Sequence, residues 1–249
     1  PGLQKAEFPS LCLPSNPMIL LLETSTLNCS VALGQPNGTH ITTREVSDGQ
    51  YLHAEKLHVI IDELLREEGI QPRDLTAVAV GKGPGSFTGL RIGTSAAKGM
   101  CTALNIPLLA PCPLKGLQRQ GALKHPQLAD HPTRIIPAID ARRLEIYTLS
   151  AADQPTATIV DEKFRSELGA GPALLVGDGA EKCKDVLSGL TTEWQFLQTF
   201  PTATDLLPEA AELLAAGVTE NVADFEPFYL KDFVPGRPKD PLSLRSKPT

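Results

Sequence analysis

The sequence predicts an α/β protein built from two βββαβαβ units, and three observations point there. The first is an order: three short apolar runs in succession, then alternating helix and strand patterns, and the same order again in the second half. The second is an acid that ends a buried run in each half, Ile19-Leu20-Leu21-Leu22-Glu23 and Ile135-Ile136-Pro137-Ala138-Ile139-Asp140, with a new strand a few residues later. The third is Val80 to Gly93, where an apolar strand runs through Gly81, Gly83, Pro84 and Gly85 straight into a helix. Glycine belongs where backbone takes positive φ or approaches something closely, and N–H groups at a helix start attract anions. The passage is either a phosphate- or partner-docking loop or a tight strand-to-helix turn.

In the first unit the strands are Ile19 to Leu22, Ser30 to Leu33 and Thr39 to Val46, the last two joined by the turn Pro36-Asn37-Gly38. Leu57, Ile60, Ile61, Leu64 and Leu65 recur at i, i+3, i+4, i+7 and i+8, which predicts an amphipathic helix with Ser47 and Asp48 near its start and Gly69 past its end. Strand Ala77 to Val80, the glycine loop, helix Phe87 to Leu104 and strand Pro107 to Ala110 complete the unit. The second unit has strands near Arg134 to Ile139, Glu145 to Leu149 and Thr156 to Val160, helix Phe164 to Leu168 and strand Ala173 to Val176. Helix Ala180 to Leu187, strand Trp194 to Leu197 and helix Ala203 to Ala216 follow.

Residues 18–118 with 203–230 are expected to form the first subdomain and 119–202 the second. Residues 1–17 hold four prolines and no signal-peptide pattern, and Met18 directly precedes the first strand, so the natural chain is expected to start at Met18. Residues 231–249 read as a flexible tail, proline- and charge-rich from Pro235 onward.

At 249 residues, 41% hydrophobic and 21% charged, the chain has the composition of an ordinary globular protein with room for two modest domains. No apolar run approaches the roughly 20 residues of a membrane span. A net charge of -6 argues against a broad basic face for nucleic acid. Five cysteines without a C-x-x-C pair suggest neither a disulfide framework nor a zinc knuckle, and fit a reducing, cytoplasmic setting.

The two acid-terminated units resemble the actin-like ATPase fold (ASKHA, RNase H-like) with its two subdomains. Particular words narrow this further: Ile19 to Thr26 with Cys29-Ser30-Val31-Ala32-Leu33, then Gly83 to Gly93, then Asp140-Ala141-Arg142-Arg143 with Glu145-Ile146-Tyr147. Together they resemble the TsaB (YeaZ) family over roughly Met18 to Tyr229, with Leu144 where that family commonly has glycine. The resemblance implies a cytoplasmic, non-catalytic subunit of the bacterial machinery that forms threonylcarbamoyladenosine next to the tRNA anticodon. It implies as partners the catalytic paralogue TsaD, the ATPase TsaE and a second copy of the chain, with tRNA reached only through the complex.

Two other classes compete: an independent ATPase or kinase of the same fold, and a metal-dependent peptidase. Against the peptidase, the stretch Leu109 to Leu117, where the paralogue's H-x-x-x-H metal pair would fall, holds no histidine, and a metal needs converging ligands. No metal site is expected. His53 and His58 at i, i+5 point about 140° apart on a helix and read as surface or interface residues. Glu23 and Asp140 are expected to face one another across the cleft, with Thr24, Ser25, Gly177, Asp178 and Gly179 completing a vestigial nucleotide site. The loop after Glu23 lacks the glycine that admits phosphate, so at most weak ATP or ADP with Mg is expected there or at a partner interface.

The predicted partner-binding residues are Leu57, Ile61 and Leu64 on the first helix and Phe87, Gly89, Arg91, Gly93, Ala97 and Met100 on the second. Gly89, Gly93 and Ala97 at spacing four let the helix backbone approach a neighbour closely, and each glycine costs about 1 kcal/mol of helix propensity that some packing must offset. Packing of the two helices on each other and packing on a partner both meet that need. Under the partner reading, Gly93→Leu abolishes partner binding and leaves the monomer folded.

Overall fold

The computed structural model describes residues 17–47, 52–128, 134–168, 172–187 and 194–231. Residues 1–16, Asp48 and the tail beyond Lys231 lie outside the described residues. Strand β1 (Met18–Glu23) is apolar throughout because both its faces are covered: Leu20 and Leu22 join one core layer, Ile19 and Leu21 the other. It pairs antiparallel with β2 (Cys29–Gly34), which pairs antiparallel with β3 (His40–Val46). On its other side it pairs parallel with β4 (Leu75–Val80), which runs beside β5 (Leu108–Leu109). The sheet order is β3-β2-β1-β4-β5. Helices α1 (His53–Glu67) and α2 (Phe87–Leu104) cover one face.

The second half repeats this plan. Its first strand is broken at Ala138 into β6 (Ile135–Pro137) and β7 (Ile139–Asp140). β7 pairs antiparallel with β8 (Glu145–Leu149), and β8 antiparallel with β9 (Pro155–Ile159). β6 runs parallel to β10 (Ala173–Val176), and β10 parallel to β11 (Trp194–Leu197). Read across the break, the order β9-β8-β7/β6-β10-β11 matches the first sheet, the duplicated arrangement of the actin-like fold. The helices here are short: α4 (Glu162–Glu167) and, after a 3-10 turn at Glu181–Cys183, α5 (Lys184–Leu187).

One helix was not expected. α3 (Pro113–Lys124) follows the first unit yet inserts Leu114 and Leu117 among Ile135, Ile139, Leu174 and Val176 of the second sheets. Conversely α6 (Ala203–Ala215) follows the second unit and packs on Ile19, Leu21, Ala77 and Ala79 of the first sheet. Each half closes the other's core, and the two helices meet where Gln120 Nε2 donates to Asp205 Oδ2 at 3.1 Å. A boundary after residue 118 would therefore cut α3; the chain changes sheets at Pro111-Cys112-Pro113. Among the described residues no helix is long and apolar enough to cross a membrane.

Candidate functional site

The glycine loop closes over the turn that follows β1. Glu23, Thr24 and Ser25 are 0, 0 and 1% exposed. A Cβ on Gly81 would stand 2.2 Å from Glu23 Oε2, one on Gly85 2.3 Å from the Ser25 carbonyl, one on Gly89 2.1 Å from the Thr24 carbonyl and one on Gly93 2.3 Å from Thr24 Oγ1. At Gly85 and Gly89 the obstacle is backbone, so these two glycines let α2 and its loop sit directly on the chain's own 24–25 turn. The Ser86 N–H donates to the Ser25 carbonyl at 2.6 Å, while Ser86 Oγ accepts the Gly89 N–H at 3.3 Å and caps α2. Glu23 Oε1 accepts the Ser25 N–H at 2.6 Å. Burial pushes the Glu23 carboxyl up to about 7, against the lowering effect of Ser25. Glu23, Thr24 and Ser25 are thus buried beneath α2. His53 also departs from expectation: at 1% exposed it is buried, and burial holds its imidazole below the ordinary value.

The second acid sits otherwise. Asp140 is a surface residue, ion-paired with Lys182, and its Oδ1 accepts the Arg142 N–H at 2.7 Å. Asp178 Oδ1 accepts the Asp140 N–H at 3.0 Å, and burial pushes the Asp178 carboxyl up to about 6. Gly177, at φ 135°, and Gly179 wrap the Ala138 break, where the Ala138 carbonyl accepts the Gly179 N–H at 2.9 Å. Asp140, Gly177, Asp178 and Gly179 therefore gather at one point. Glu23, Thr24 and Ser25 lie beneath α2. Among the described residues no three His, Cys, Asp or Glu side chains converge as a metal site would require. Cys29, Cys101, Cys112 and Cys183 are buried free thiols.

The α1–α2 pair presents a different face to solvent from the one anticipated. Leu57, Ile61 and Leu64 are 0, 5 and 2% exposed and pack on the first sheet, so they are core residues of this chain. Gly89, Gly93 and Ala97 face inward as well. A leucine at Gly93 would drive into Thr24, which corrects the expectation that Gly93→Leu leaves the fold intact. A second row of small residues at spacing four, Ser95, Gly99 and Ala103, is exposed. With Arg91, Ile92 and Met100 of α2 and Ala54 and His58 of α1, it lines an open groove of about 570 Å³. Arg91 and Met100 thus remain at the surface. Phe87 is engaged within the chain, its ring 4.9 Å from that of Tyr229 and 4.1 Å from the Arg91 guanidinium. The outward row was missed because small and polar residues carry no hydrophobic period; spacing four was the available signal.

Comparisons with known proteins agree with this architecture. A family model described as TsaD, tRNA N6-adenosine threonylcarbamoyltransferase, matches residues 48–169. The tRNA threonylcarbamoyladenosine biosynthesis protein TsaB of Escherichia coli (strain K12) is 31% identical over 230 residues, covering 87% of this chain and 95% of that protein. The protein of the same name from Haemophilus influenzae is 33% identical over 155 residues, covering 62% of this chain and 58% of its own. Among solved structures, YeaZ from Pseudomonas aeruginosa superposes with a TM-score of 0.68 at 28% identity, covering 86% of this chain and 99% of that one.

Proposed function

This chain belongs to the TsaB (YeaZ) family of tRNA threonylcarbamoyladenosine biosynthesis, and on that premise we propose that it is a non-catalytic subunit that binds and supports the paralogue TsaD. The observation that carries the reading is the closed loop after β1. Thr24 and Ser25 are buried under α2 and packed against its glycine row, which supports a subunit without nucleotide turnover of its own. What remains exposed on the same two helices is a groove with a slim floor, Ser95, Gly99 and Ala103, flanked by Ile92 and Met100. A floor without bulky side chains lets a partner helix come close, and apolar flanks supply the burial that drives association. TsaD is the proposed occupant; a second copy of this chain competes for the same groove, and TsaE joins the assembled pair.

Reconstitution tests this. Threonylcarbamoyl-adenylate, tRNA, TsaD and TsaE are combined with and without this chain, and product formation is expected only, or much faster, with it. Ser95→Arg places a long charged side chain in the groove at an exposed position and is expected to abolish co-elution with TsaD while the thermal midpoint holds. Co-elution of that variant counts against the groove. Titration of the chain alone with Mg·ATP is expected to give no binding heat, and brisk hydrolysis would restore the ATPase reading.

A further inference from the structure

The β7–β8 turn is built around two arginines that neither the fold nor the groove uses. Arg142 and Arg143 occupy consecutive left-handed positions, φ 66° and 52°. Such turns ordinarily take Asn or Gly, and a bulky side chain persists there only where its surroundings hold it. They do so here. The Ala141 N–H donates to the Glu145 carbonyl at 3.1 Å and the Glu145 N–H returns to the Arg142 carbonyl at 3.2 Å. Lys182 Nζ donates to the Arg143 carbonyl at 3.1 Å, Lys231 Nζ to the Ala141 carbonyl at 3.2 Å, and the Val160 N–H to the Leu144 carbonyl at 2.7 Å. Every carbonyl from Ala141 to Leu144 is occupied.

The surrounding charges are equally accounted for. Asp140 is paired with Lys182 and Glu145 with Lys231, while the Asp178 carboxylate is taken up by the Asp140 N–H. Both guanidinium groups are left exposed, and among the described residues neither has a hydrogen-bond or ion-pair partner.

We propose that Arg142 and Arg143 form a rigid tip that grips the phosphate backbone of RNA. A guanidinium fork matches a phosphate in two parallel hydrogen bonds, and a fixed turn leaves only side-chain freedom to be lost on binding. Phosphate contacts position a protein on nucleic acid without reading sequence. A tip of two arginines also suits a chain whose net charge of -6 denies it a broad basic face. The inference rests on the tRNA-modification reading above and adds to it a direct contact from this subunit.

The test measures tRNA binding by the full chain, alone and with TsaD, at about 50 and 200 mM salt. The double variant Arg142→Asn/Arg143→Asn removes both charges and keeps a residue that accepts left-handed backbone, so its thermal midpoint serves as the folding control. Affinity is expected to fall about tenfold, and the slope of log affinity against log salt to shrink by roughly 1.4 to 1.8, as for two lost phosphate contacts. The double Lys variant is expected to retain the slope. Unchanged affinity and slope in the Asn variant overturn the proposal, as does absence of tRNA binding by the wild type in both settings. Loss of a protein partner with tRNA binding intact also overturns it and assigns the tip to an acidic protein surface. If the chain does not join TsaD, the measurement on the chain alone still reads out, so failure of the subunit reading and failure of this one are distinguishable.

Discussion

The two halves share one strand order and place an acid at the same point, yet treat that acid in opposite ways. Glu23 ends a strand beneath an 18-residue helix whose glycines sit on the following loop, so the carboxyl is fully buried and resists ionisation. Asp140 ends the equivalent strand of the second half, where the helices among the described residues span Glu162–Glu167 and Lys184–Leu187. It stays at the surface, paired with Lys182. The difference comes from the covering layer and not from the sheet. One backbone plan buries the acid where a long slim helix packs on the following loop, and leaves the corresponding acid at the surface in the other half.

The strongest way to break this comparison is to remove the slimness. Gly89→Val puts a branched side chain where a Cβ alone would stand 2.1 Å from the Thr24 carbonyl, a backbone atom that cannot swing aside. Chemical denaturation is expected to show a loss of roughly 3 kcal/mol or more, at the upper end of overpacking penalties. The matching change at Gly99, which has nothing within 4 Å, is expected to be neutral or slightly stabilising, since a helix gains propensity when glycine is replaced. Equal effects at the two glycines would mean that α2 does not seal the loop.

How far the sequence reveals this depends on what a periodic pattern encodes. Successive apolar runs and the acid after each first strand marked the duplicated sheets, and the glycine loop running into a helix marked α2 to within a residue. α3 was hidden by the features that let it pack. Gly116 and Gly121 lower helix propensity, yet a Cβ there would stand 3.0 Å from Asp205 Cβ and 2.6 Å from Ile135 Cγ2, so they permit close approach to α6 and to β6. The candidate site was less legible for a related reason. An amphipathic stripe such as Leu57, Ile61 and Leu64 says that a face is buried and not against what. Likewise a run with small residues in two rows does not announce that Gly89, Gly93 and Ala97 point inward while Ser95, Gly99 and Ala103 point outward.

A sharper measurement uses proton linkage at Glu23. Its folded-state value of about 7 lies above the unfolded value of 4.5, so the folded chain binds the proton more tightly. The resulting stabilisation is present in full below pH 4.5 and is lost as pH rises through about 7. The amplitude is at most about 3.5 kcal/mol, because each tenfold gain in proton affinity on folding is worth about 1.4 kcal/mol. Glu23→Gln keeps an oxygen for the Ser25 N–H and carries no proton to lose. Its unfolding free energy is expected to be flatter between pH 5 and 8 than that of the wild type, and higher at pH 8. If the two pH profiles run parallel, Glu23 is solvated and the pocket is open.

The smallest expected effect completes the contrast. Asp140→Asn retains the oxygen that accepts the Arg142 N–H and loses only the charge facing Lys182, in a pair whose carboxylate side chain is 48% exposed. Exposed ion pairs are worth little, so the change in stability is expected to stay under about 0.5 kcal/mol. Because Asp140 and the Arg142–Arg143 turn share that N–H, the same variant also asks whether the turn is held by hydrogen bonds or by charge. An unchanged salt slope for tRNA alongside unchanged stability points to hydrogen bonds. A stability loss approaching that of the Gly89 variant would mean that the second acid is as deeply built into its half as Glu23 is into the first, and the contrast between the halves would fail.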